Sequence, residues 1–149
     1  MSTALANYNG DVIAWANEQA RLLRSGQFSQ LDIEHIADEI EDVGKSEQRE
    51  LQSRLIVLIA HLLKFGFQPE RKSSSWIHTI KIQRVDIAYA IKKMPSLKTN
   101  FSDDEWFSIV WGKSKLLAMN EAGFDFEAFP ESCPWFFEQI INPDFWPKA

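Results

Sequence analysis

A single all-α domain over residues 1–149 is the fold this sequence predicts, as a helical bundle of about five main helices plus a short C-terminal one, and three observations predict it. Glycine and proline together number only 12 in 149 residues, too few for the turns that many short strands need. Apolar residues recur at helical spacing through most of the chain. No stretch alternates apolar and polar residues for long enough to read as a strand. The length suits one core, since a chain of this size buries roughly 70% of its unfolded surface.

The helices follow from their boundary residues, in order. The first starts near Asp11 and runs to about Ser25, where Gly26 ends it. Asp32 is the expected N-cap of a second, reaching Val43 with Gly44 as its stop. A third runs from Ser46 to about Phe67, before Gln68-Pro69. Ser73, Ser74 and Ser75 offer caps for a fourth, Trp76 to Met94, closed by Pro95. Ser102-x-x-Glu105 is a capping box that opens a fifth, ending at Gly123. Pro134 can start a short sixth helix, Trp135 to Ile141. The run Leu55 to Ala60 is apolar all round, so the third helix is expected at the centre. The aromatic tail (Phe124, Phe126, Phe129, Trp135, Phe136, Phe137, Phe145, Trp146) is expected to fold over the bundle.

Composition excludes several classes. Hydrophobic residues make up 45% and charged residues 25%, ordinary globular values that exclude a disordered or collagenous chain. The longest apolar run, Leu55 to Ala60, is far short of the roughly 18 residues of a membrane helix. Met1 to Asn7 lack the basic leader and apolar stretch of a signal peptide. Cys133 is the single cysteine, so there is no internal disulfide and no cysteine-based zinc site. A cytoplasmic protein away from the membrane is the expectation.

Charge is unevenly spread. Residues 1–50 carry 4 basic and 10 acidic residues, net -6; residues 51–100 carry 9 and 2, net +7; residues 101–149 carry 3 and 9, net -6. The acidic thirds are expected to neutralise the basic middle. That layout and the acidic total of -5 argue against general nucleic-acid binding.

Helical wheels single out polar residues inside apolar arcs. Gln19 falls in the arc of Trp15, Leu22, Val12 and Leu23. Arg84 lies near the middle of the arc of Trp76, Ile80, Ile87 and Ile91. Glu121 shares the arc of Trp106, Val110 and Leu117. Glu39 sits on the edge of the stripe Ile36, Ile40, Val43. A buried guanidinium needs a carboxylate, so Gln19, Glu39, Arg84 and Glu121 are expected to form a buried polar network, with Glu39 or Glu121 meeting Arg84.

Other chemistries are less complete. Arg54 and His61 face one way on the third helix, and this Arg-x6-His spacing is similar to the motif of the HEPN ribonucleases. There the His assists proton transfer at the RNA 2′-oxygen and the Arg steadies the phosphate. The polar residue usual after that Arg is replaced by Leu55, Arg71 and His78 share the spacing, and Glu50 four residues before Arg54 offers a plain ion pair. Arg71, Lys72 and Ser75 place cations beside a helix N-terminus, a candidate anion site. Asp32-x-x-His35 and the acidic run Asp38-Glu39-x-Glu41-Asp42 have no second carboxylate–histidine helix to complete a metal site. No metal and no cofactor are expected.

A wider resemblance is carried by Tyr8, Asp11, Trp15-x-x-x-Gln19-x-x-Leu22-Leu23-Arg24, Leu31-Asp32 and Glu39-Ile40-Glu41. It continues with His61-Leu62-Leu63-Lys64, Gln68-Pro69, Arg71, Ser75-Trp76, Arg84, Pro95-Ser96-Leu97, Cys133-Pro134 and Phe145-x-Pro147. Over nearly its whole length the chain resembles a bacterial family, abundant in cyanobacteria, known as domain of unknown function 29. The resemblance implies an all-helical fold and a small free-standing protein, and it implies no activity. The functional expectation is a non-catalytic interaction or regulatory domain with a protein partner; the alternative is a metal-independent HEPN-like ribonuclease using Arg54 and His61.

Overall fold

The computed structural model describes residues 6–67, 73–123 and 125–148. Of these, 77% are helical, and there is no strand among the described residues. The fold is all-α, as the shortage of turn residues predicts. The described residues form five α-helices, α1 (Val12–Arg24), α2 (Ile33–Phe67), α3 (Ser74–Lys93), α4 (Asp104–Ala122) and α5 (Phe137–Ile141), with 3₁₀ turns at Phe28–Gln30, Pro95–Ser102 and Phe126–Ala128. The chain divides into two compact units, Met1–Ser46 and Glu47–Ala149.

The first unit holds α1 and the start of α2. Asp11 caps α1 by accepting from the Ala14 amide at 3.1 Å. The helix closes in a Schellman motif: Gly26 takes a φ of +76°, its amide bonds Leu23 O, and the Gln27 amide bonds Leu22 O. A residue with a Cβ would be strained there. Asp32 caps α2, accepting from the His35 amide at 3.4 Å. Trp15, Gln19 and Leu22 are the residues α1 buries.

The largest difference from the sequence expectation lies at Gly44; the last helix also starts at Phe137 rather than Trp135. The second and third predicted helices are a single 35-residue helix, α2, and Gly44 does not stop it. Glycine costs a helix interior only about 1 kcal/mol relative to alanine. No proline follows, and Glu41 and Lys45 pair one turn apart at 4.0 Å. Residues 41 to 50 are exposed throughout.

The second unit is built on the rest of α2. Leu51, Leu55, Leu58, Ile59, Leu62 and Leu63 are buried, and they meet Ile80 and Ile87 of α3, Val110 and Ala118 of α4, and Ile140 of α5 in one core. Ser73 caps α3 through the Trp76 amide at 3.2 Å. Asp103, rather than the expected Ser102, caps α4 through the Trp106 amide at 3.1 Å; its carboxylate is the stronger acceptor at a helix N-terminus. Gly123 ends α4 in the left-handed region. The tail lies on this core: Phe137 stacks on Phe101 and Trp146 tilts against Phe65. Gly66 admits Pro147 so closely that a Cβ there would sit 3.0 Å from the proline ring.

Candidate functional site

In the first unit, Asp32 organises the hairpin of α1 and α2. Its Oδ2 accepts from Trp15 Nε1 at 2.9 Å and from His35 Nδ1 at 2.7 Å. Its amide donates to Gln19 Oε1 at 2.8 Å. Tyr8 stacks on the His35 ring with centroids 4.1 Å apart and donates its hydroxyl to Glu39. The hydrogen bond to His35 holds the Asp32 carboxyl below its usual range. The hydrogen bond to Glu39 pushes the Tyr8 phenol up to about 12. This mesh ties the N-terminal segment, α1 and α2 together with side chains that are mostly polar.

What it leaves open is apolar. A groove of about 250 Å³ runs between the two helices, lined by Ala16, Ala20 and Leu23 of α1 and by Ile36, Ile40 and Val43 of α2, together with Trp15, Gln19 and Glu39. Leu23 is 46% exposed, Ile40 68% and Val43 66%. The stripe, which its spacing alone would place in a core, is therefore a surface, because the described residues of this unit supply only two α-helices. Between Ile33 and Gly44, α2 carries Glu34, Asp38, Glu39, Glu41 and Asp42 and no lysine or arginine, so the groove is flanked by negative charge.

The second unit holds the remaining polar residues. Arg54 is fixed between Asp86 (Nη1 at 2.9 Å) and Glu50 (Nη2 at 3.0 Å). His61 Nδ1 donates to Val57 O at 2.8 Å, leaving Nε2 3.4 Å from Lys64 Nζ. Burial pushes the His61 imidazole below its usual value. The nearly buried Lys64 pairs with Glu121 and lies over the Trp76 ring at 5.3 Å. Arg84, only 3% exposed, donates from Nε to Ile140 O at 2.9 Å and from Nη2 to Phe145 O at 2.7 Å. The Cys133 thiol is pushed up to about 11 by burial, which suits packing rather than nucleophilic attack.

The four residues expected in one buried network thus have separate partners. Gln19 and Glu39 belong to the Asp32 mesh of the first unit, Glu121 holds Lys64, and Arg84 is met by main-chain carbonyls. Among the described residues no carboxylate pairs with Arg84, in contrast to the expectation; the backward turn of the tail after Ile140 brings carbonyls to it first. Arg54 and His61 are on one helix, but each is engaged by its own partners. Arg71 and Lys72 lie outside the described residues, and Ser75 stands in the first turn of α3, which Ser73 caps. No cluster of three metal-ligating side chains occurs among the described residues. Sequence reasoning missed the Tyr8–His35 stack and the Lys64–Glu121 pair. Both join residues at least 27 positions apart, although His61-Leu62-Leu63-Lys64 and Tyr8 carry part of the family resemblance.

The fold is all-α, and among the described residues no helix is long and apolar enough to cross a membrane. The chain belongs to the family described as Domain of unknown function DUF29, whose family model matches residues 7–146. Tyr8, Trp15, Gln19, Asp32 and Glu39, which carry part of that resemblance, are the residues of the hairpin mesh. Comparison with curated proteins and with solved structures returns no match.

Proposed function

We propose that the protein is a non-catalytic interaction domain whose α1–α2 hairpin docks a basic amphipathic helix of a partner protein. The observation that carries this reading is the open apolar stripe Ile36, Ile40, Val43 facing Leu23 across the groove, beside five acidic residues of the same helix. Apolar side chains at i, i+4 and i+7 with acidic neighbours complement a helix with the same spacing and basic flanks. Residues 1–46 carry 8 acidic and 3 basic residues, net -5, so a second copy of the hairpin would meet like charge. A bacterial cytoplasm is the setting proposed with it, supported by the family resemblance and the single cysteine. The engagement of Arg54 by Glu50 and Asp86 supports the non-catalytic part, because a phosphate would have to displace two carboxylates.

Calorimetric titration with a synthetic leucine–lysine amphipathic helix tests the reading. Binding is expected to weaken at least tenfold in Val43→Asp, and a leucine–glutamate peptide of the same pattern should not bind. Equal binding of the two peptides, undiminished binding by Val43→Asp, or no binding at all would overturn the docking reading. Cleavage of structured RNA that is lost in His61→Ala would overturn the non-catalytic one.

A further inference from the structure

The second unit contains a buried cation, Arg84, that meets no counter-charge among the described residues. The two carbonyls on Arg84 satisfy protons but bring no net charge, and the guanidinium carbon stands 5.3 Å from the Trp146 ring centre. Nη1 has no hydrogen-bond partner and is sealed from solvent. A buried charge is costly unless it is paired, and a buried donor left unmet in a native fold is a place for a water, an ion or a ligand group. Arg84 also lines a pocket of about 350 Å³, together with Lys81, Val85, Ala88, Ile141 and Pro143. Two cations one helical turn apart thus stand in a pocket whose other walls are aliphatic.

We propose that this pocket binds an amphipathic carboxylate, an acid whose carboxylate meets Arg84 and Lys81 and whose apolar body lies on Val85, Ala88, Ile141 and Pro143. A carboxylate suits the donors because it has two oxygens for one guanidinium edge and one ammonium group. A phosphate has more oxygens to satisfy, and four of the six lining residues offer no polar side chain. The proposal requires the pocket wall to yield where a carboxylate oxygen reaches Nη1, and Pro143, on an exposed turn, is the lining residue with most room to do so. The site is in a different unit from the hairpin groove and does not depend on its role.

Sodium octanoate below its micellar concentration is the probe, followed by calorimetric titration and by the melting temperature of the full chain. Saturable binding that raises the melting temperature is expected, with octanol and acetate each at least tenfold weaker. Lys81→Met should weaken octanoate at least threefold, and Ala88→Trp should abolish its binding by filling the pocket. Both positions are exposed on α3, so the test stands even where Arg84 variants fail to fold. Equal binding of octanol would show that the cations play no part. Equal binding of acetate or sulfate would reduce the site to one for small anions. Octanoate binding untouched by Ala88→Trp, or no octanoate binding, would also overturn the proposal.

Discussion

Lys64 and Glu121 form an ion pair whose two halves see different surroundings: the lysine side chain is 4% exposed and the glutamate 42%. Removing one partner therefore has unequal consequences. Lys64→Met leaves a carboxylate that water can reach and a side chain of similar length in the core, so a loss below about 1 kcal/mol is expected. Glu121→Gln strands a buried ammonium, and one-sided breaks of this kind cost roughly 3 kcal/mol. Chemical denaturation of the two variants checks the order, and an equal or reversed order would contradict the asymmetry. His61 gives a second prediction at this scale. Burial lowers its folded pKa below the unfolded value, so the unfolded chain takes up a proton first as pH falls. Its contribution to stability is present above the unfolded pKa, near 6.5, and is lost as pH falls toward the folded one. Melting temperatures of the wild type should fall more steeply below neutral pH than those of His61→Gln; parallel curves would contradict this.

At the scale of elements, the unbroken α2 is the feature with most consequence. Residues 41 to 50 are exposed on all sides, so helix propensity and i,i+4 pairs hold this stretch rather than packing. Gly44→Ala should then stabilise the protein by about 0.5–1 kcal/mol. Gly44→Pro should cost about 3 kcal/mol or more by removing a backbone bond and clashing with the preceding turn. Thermal denaturation of the pair checks this, and a destabilising Gly44→Ala would show that Gly44 is required as glycine. The helix ends were mostly legible in the sequence, because Asp11, Gly26, Asp32, Ser73, Pro95 and Gly123 act through local backbone geometry. The missing break at Gly44 was not, since a glycine permits a stop without imposing one. The partners of Arg84 and Lys64 were not legible either. The wheel shows that a polar group enters a core, but which group meets it depends on how the tail returns to Arg84 and how α4 meets α2 at Lys64, contacts between residues more than 50 positions apart.

For the whole molecule, the charge pattern and the division of labour belong together. The open apolar stripe lies in the acidic first unit, whereas the buried cations Lys64, Arg84 and Lys115 lie in the second. The sequence exposed the acidity of the first third but not its open stripe: Ile36, Ile40 and Val43 have core spacing, and only the count of helices around them decides whether they are covered. One domain over residues 1–149 remains our proposal for how the chain folds, and a single calorimetric transition is its expected signature. The central claim, that the hairpin is the docking surface, is tested most directly by amide chemical shifts during titration with the leucine–lysine helix. The account predicts shifts concentrated between Ala16 and Leu23 and between Ile36 and Val43, with α3 and α4 little affected. Shifts spread over the second unit, or confined to it, would contradict the claim.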